Sequence, residues 1–195
     1  MIAQSLSKDP YKYNDANDLD MLNMSINRIK QLSAHEIGHT LGFAHNFSSS
    51  TNNRESVMDY PHPLIELVNG EIKFDNAYDE GIGEWDKTSV LYSYQDFSAE
   101  QNEQNELNKI LNDSYNKGQR FITDKDARPI GGAHPSAHLW DNGTGPINEF
   151  NHLLKVRKVA MDNFSIHQLK NGDPISILRD RLVPIYFLHR YQIEA

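Results

Sequence analysis

Three histidines and a glutamate sit together in the run His35-Glu36-Ile37-Gly38-His39-Thr40-Leu41-Gly42-Phe43-Ala44-His45. On a helix, residues four apart share a face, so His35 and His39 present their imidazoles to one ion. Glu36 stands beside the first histidine, where a carboxylate acts as base toward water at that ion. A straight helix would carry residue 45 away from this face. Gly42 supplies the escape: without a Cβ it takes positive φ, ends the helix and lets the chain turn back. His45 then completes a three-histidine zinc site with one position open to water. That donor set belongs to catalytic zinc, since structural sites close with a fourth protein ligand. Against this chain's own composition, the five fixed positions arise by chance about once in ten thousand such sequences.

A second motif follows after a short loop, Ser56-Val57-Met58-Asp59-Tyr60. Together the long histidine motif and this methionine turn resemble the metzincin clan of zinc endopeptidases. The resemblance implies that Met58 forms an apolar floor beneath the three histidines. It also implies that Tyr60 matches the tyrosine that astacin-like and serralysin-like members place at the zinc, where it stabilises the oxyanion. The residue after the third histidine is Asn46, not the glutamate of astacin-like members. The strings QLSAHEIGHTLGFAHNF, SVMDYPHP, GIGEWDK, DARP, AHLWDNG and LVPIYFLHRYQ resemble the C-terminal part of large bacterial zinc-dependent metalloproteases. By that resemblance the protein is secreted, periplasmic or exposed at the cell surface, and its substrate is a peptide or protein. Hydrolysis then runs through an activated water with Glu36 as general base and Tyr60 at the oxyanion. Two other readings stay open: a zinc-binding scaffold without catalysis, and a zinc hydrolase acting on a non-peptide amide.

The elements that must position these groups are legible in part. Leu22, Ile26, Ile29, Leu32 or Ser33, Ile37 and Leu41 recur at three-to-four spacing, which predicts a long helix with one apolar stripe from about Asp18 to Gly42, with Asn17-Asp18 as its cap region. Residues 64–74 predict a hairpin with Asn69-Gly70 in its two-residue turn. Helices are expected over Trp85 to Tyr94, 99–116, 147–163 and 174–193, the last kinked by Pro184. Residues 1–19 read as an irregular lead-in, and DARPIGGAHPSAHLWDNGTGP as loop. The fold class is therefore mainly α, α+β with a minor sheet. By resemblance it is zincin-like, the C-terminal half of a metzincin catalytic domain with a helical extension. Residues 1–97 carry the active-site helix, the methionine turn and the following helix, and 98–195 form a helical and loop extension packed on them.

Other residues with chemical side chains yield bland readings. His134 and His138 lie four apart, but Pro135 and the preceding Gly-Gly deny them a helix, which leaves a place on a cleft rim. His62 lies between two prolines and reads as a turn residue. Asp124 and Asp126 lack EF-hand spacing around them. Trp85 and Trp140 read as core or loop anchors, and His152, His167 and His189 receive no role.

Composition sets the outer limits. The 195 residues include nine Tyr, eight Phe and two Trp, too much apolar bulk for a disordered chain. A formal charge of -8 argues against broad electrostatic binding to nucleic acid or anionic lipid. The absence of cysteine excludes disulfides, thiolate metal sites and cysteine nucleophiles. No apolar run approaches the roughly 18 residues of a membrane span, and the first residues do not form a signal peptide. By resemblance, a twisted sheet precedes the active-site helix and pairs with extended substrate. The residues before His35 leave no room for it, so the expectation is a fragment of a larger enzyme whose further domains complete the cleft.

Overall fold

A computed structural model describes residues 2–11, 18–127 and 134–194. Among the described residues the fold is mainly helical with one small sheet. The chain divides into two compact units, one drawn from 1–29, 63–79 and 147–194, the other from 30–62 and 80–146.

In the first unit, α1 (Ile2–Leu6) corrects the expectation of an irregular lead-in, because Ala3 and Leu6 are buried in its core. Residues 12–17, including the expected cap residue Asn17, lie outside the described residues. The hairpin forms as the sequence predicts, with β1 (Glu66–Val68) antiparallel to β2 (Glu71–Lys73). Asn69 and Gly70 both take positive φ, 53° and 81°, as a primed two-residue turn requires. Pro146 opens α6 (Pro146–Asp162) at the position where a missing N–H costs nothing. Along that helix Leu153, Val156 and Ala160 fall at three-to-four spacing and are buried with Leu6, Ile65, Ile185 and Leu188. His152 Nε2 donates to the Ile65 carbonyl at 2.6 Å, tying helix to hairpin. The single helix expected over 174–193 is two, α7 (Ile177–Tyr186) and α8 (Arg190–Ile193). Pro184 lies inside α7 near its end, where its absent N–H and ring bulk disfavour continuation.

The second unit carries the histidine motif. The helix α2 (Asp18–Thr40) runs through the boundary between the units. Its end is a Schellman turn: Gly42 N–H donates to the His39 carbonyl, Phe43 N–H donates to the Gly38 carbonyl, and Gly42 sits at φ 89°. A short 3-10 helix (Ser49–Asn52), α3 (Glu84–Tyr94), α4 (Glu103–Asn116) and α5 (Asp124–Ala127) follow. The Asn102 side chain caps α4 by accepting from Asn105 N–H at 3.0 Å. Residues 134–145 are loop, as expected, and 128–133 lie outside the described residues. Phe47, Ala127 and Ala137 are buried together, with Tyr60, Ile122 and Leu139 against them.

The stripe that marked α2 as a helix is not its buried face. Leu22, Ile26, Ile29, Ile37 and Leu41 are exposed, Ile29 by 63% and Ile37 by 59%. Gln31, His35 and Gly38 are buried instead. At 100° per residue the two sets lie on roughly opposite sides of the helix. Among the described residues, no helix is long and apolar enough to cross a membrane.

Candidate metal centre

The buried face of α2 packs on the methionine turn. Gln31 Nε2 and His35 Nδ1 both donate to the Val57 carbonyl, at 3.4 and 2.6 Å. One turn further along, Gly38 meets Met58, which is only 1% exposed. A Cβ at Gly38 would overlap the Met58 sulfur, so glycine is what lets helix and turn approach. The methionine turn is held in turn by α3. Asp86 accepts from Ser56 Oγ at 2.6 Å, from Val57 N–H at 2.8 Å and from Gly83 N–H at 2.7 Å. Desolvation raises the Asp86 carboxyl above its ordinary range even though these three bonds favour its charge. Gly83 fits tightly as well, since a Cβ there would strike the Glu55 carbonyl.

Each histidine of the motif has its Nδ1 engaged. His35 Nδ1 donates to the Val57 carbonyl. His39 Nδ1 donates at 2.9 Å to the carbonyl of Phe43, which the Schellman turn has brought back against the helix. His45 Nδ1 donates at 2.8 Å to Asp124 Oδ2. Carbonyl and carboxylate oxygens only accept, so each ring carries a proton on Nδ1, and in the neutral imidazole that tautomer puts the lone pair on Nε2. Those three Nε2 atoms face one another: His39 Nε2 lies 3.1 Å from His35 Nε2 and 3.2 Å from His45 Nε2. Burial, first, and the neighbouring His39 and His45 hold the His35 pKa below the usual histidine value, so its ring favours the neutral, ligating form.

The residues present therefore fit a cation. Lone pairs converging at this distance repel one another unless a positive charge lies between them. Tetrahedral zinc with Zn–N near 2.0–2.1 Å would set its nitrogens about 3.3 Å apart, close to the spacing found. Among the described residues, His35, His39 and His45 are the one group of three acidic or histidine side chains placed to hold a metal ion.

Around this group the other expected residues take distinct places. Glu36 is exposed on α2, and its charge acts on the His35 ring. The Tyr60 ring stacks on His35 at 5.1 Å between centroids and leans on His45 at 4.6 Å. Trp140 also stacks on Tyr60, at 5.6 Å between centroids, and its backbone N–H donates to the Tyr60 carbonyl at 2.9 Å. Asp59, between Met58 and Tyr60, is buried and accepts from Ser49 Oγ and Tyr60 N–H. Burial, with Asp141 adding to it, pushes the Asp59 pKa from 3.8 up to about 7. His134 and His138 do not join the histidine cluster; His138 Nδ1 donates to the Leu139 carbonyl.

Sequence reasoning missed three contributors. Asp124 has no EF-hand spacing to mark it, and a partner 79 positions from His45 leaves no local signal. Asn46 is fully buried, its side chain accepting from Ser48 and Ile122 and donating to the Arg120 carbonyl. Gly38 sits inside the motif, and only its contact with Met58 shows why it is glycine.

No curated protein and no solved structure matches the chain. The family described as Met-zincin matches residues 17–195. With that match covering nearly the whole sequence, and with three convergent histidines above a methionine turn, the chain belongs to the Met-zincin family and has the scaffold of a metzincin-clan zinc metalloprotease.

Proposed function

We propose that this chain is the zinc-bearing part of an endopeptidase that hydrolyses peptide bonds, with His35, His39 and His45 as ligands. The observation that carries the reading is the convergence of three Nε2 atoms whose Nδ1 partners are all hydrogen-bond acceptors. Bound there, zinc supplies a Lewis acid that polarises the scissile carbonyl and acidifies water.

The remaining roles fall to the protein. Glu36, next to His35 and open to solvent, takes the proton from the attacking water and delivers it to the leaving amine. Tyr60, held against two of the histidines, donates its phenolic O–H to the oxyanion of the tetrahedral intermediate. Met58 and Gly42 act through structure, the first as the floor under the rings and the second as the turn that returns His45. The substrate is a peptide or protein, and further domains of a longer parent chain complete the cleft. The working compartment is outside the cytoplasm.

The deciding experiment pairs metal content with cleavage of a peptide library, with and without chelator. The unsubstituted chain binds about one zinc per chain. Glu36→Ala keeps that zinc and cleaves nothing, whereas His39→Ala loses both. Undiminished cleavage by Glu36→Ala would sink the mechanism. Zinc binding without cleavage of any peptide, even in the longer parent, would favour a scaffold. Cleavage confined to small amides would favour an amidohydrolase.

A further inference from the structure

We infer that Asp124 is a positioning residue of the metal centre: its carboxylate holds the His45 ring in ligating orientation and tautomer. The inference rests on the zinc reading above, where Asp124 enters only as a hydrogen-bond acceptor, and gives that residue a role in metal affinity and ligand geometry. The three histidines are not held alike. His35 and His39 belong to α2, and their Nδ1 atoms meet backbone carbonyls at Val57 and Phe43. Those acceptors are fixed by the methionine turn and by the Schellman turn. His45 lies beyond the helix, in a segment without regular structure, and its Nδ1 meets a side chain instead.

That side chain is brought across by a strap of hydrogen bonds. Phe47 N–H donates to the Ile122 carbonyl at 2.9 Å, and Ile122 N–H donates to Asn46 Oδ1 at 3.2 Å. Asn46 Nδ2 and Ser48 Oγ both donate to the Arg120 carbonyl, at 2.9 and 2.7 Å. Residues 46–48 and 120–122 are thereby laced together, and Asp124 at the start of α5 falls beside the ring of His45. A carboxylate also differs from a carbonyl in kind. Its full negative charge on the Nδ1–H makes the opposite nitrogen a stronger donor to a metal, and such partners typically carry 10–100-fold in metal affinity. The third ligand therefore depends on a side chain 79 positions along the chain, whereas the first two depend on backbone carbonyls 22 and 4 positions away.

The test uses the full chain, with zinc affinity measured by competition against a chromogenic chelator and ligand geometry read from the visible absorption of the Co2+-loaded protein. Asp124→Ala is expected to weaken zinc binding about 10–100-fold and to alter the Co2+ spectrum. Asp124→Asn retains an acceptor oxygen without the charge, so its loss is smaller but measurable. Asp126→Asn removes the same charge two positions away on α5 and leaves affinity within about twofold of the parent. Melting of the metal-free protein is unchanged in the Asn variant, which separates positioning from a general loosening of the fold. If Asp124→Ala does not fold, the isosteric Asn variant decides. Both Asp124 variants binding zinc as tightly as the parent, with the same Co2+ spectrum, would overturn the inference alone. A parent chain that binds no zinc would overturn the metal-centre reading and take this inference with it.

Discussion

The two units are built from opposite materials. Among the described residues, the unit containing α6 and α7 buries chiefly aliphatic side chains, with Leu6, Ile65, Leu153, Val156, Ile185 and Leu188 in one cluster. The unit with the histidines buries mainly polar groups, among them His35, Asn46, Ser48, Ser49, Asp59 and Asp86. Area removed from water stabilises the first without regard to direction. Directed hydrogen bonds shape the second, and each fixes one atom: Val57 O for His35, Phe43 O for His39, Asp124 for His45. A metal site needs such fixed atoms, and an aliphatic core does not supply them. Burying those polar groups is costly wherever a bond is missing, so this unit gains geometry at the expense of stability.

The sharpest way to break this contrast is a cavity in the aliphatic unit. Leu153→Ala removes a side chain that is 1% exposed, and unfolding free energy should fall by about 2–5 kcal/mol in urea titration. Zinc affinity of the folded variant should stay within about threefold of the parent, because the Leu153 cluster and the histidines' hydrogen-bond partners have no residue in common. A variant as stable as the parent would show that this cluster is not what holds its unit.

In the polar unit the largest single effect should come from Asp59 and depend on pH. Its pKa is 3.8 when unfolded and about 7 when folded. Between those values the folded state binds the extra proton, so stability contributed through this group falls as pH rises, and above pH 7 the full cost is present. Asp59→Asn mimics the protonated form. It should flatten the decline between about pH 4 and 7 and leave the variant more stable by about 1–3 kcal/mol at pH 8. Equal stability of both proteins at pH 5 and pH 8 would mean that Asp59 is not forced to ionise in a dry site.

A smaller effect is expected where helix meets methionine turn. Gly38→Ala gains helix propensity but drives a methyl into the Met58 sulfur, for a net loss of about 1–2 kcal/mol. Combining it with Met58→Ala should cost less than the sum of the two single changes. Strict additivity in that cycle would deny the contact.

These sites also show what the sequence made legible. Spacing alone carried the convergence of His35, His39 and His45, because the four-residue step is a property of any helix and Gly42 marks the exit. Asn69-Gly70 marked the hairpin for an equally local reason, two consecutive positions needing positive φ. The apolar stripe on α2 marks a helix by its periodicity, but periodicity reports that a face is apolar and not that it is covered. The buried face is instead the one whose Gln31, His35 and Gly38 fit the methionine turn. Asp86 and Asp124 escaped for a different reason. Each acts through a contact between segments remote in sequence, and an acidic residue on a polar surface helix has no pattern to mark it.

The mildest change probes how Tyr60 is held. Trp140 sits at φ 59°, an unusual conformation for an aromatic residue, and from there it stacks on Tyr60 with planes 21° apart. Strain of that kind persists only where surrounding contacts impose it. Trp140→Leu keeps the backbone N–H bond to the Tyr60 carbonyl but removes the stacked ring, at a stability cost of about 0.5–1.5 kcal/mol. If Tyr60 serves the oxyanion, kcat should fall while KM changes little, since the loss is confined to the transition state. Trp140→Phe preserves a ring against Tyr60 and should recover most of both. Phe and Leu variants that both keep the parent's stability and kcat would assign the restraint to the N–H bond, which both retain, and make the stack incidental.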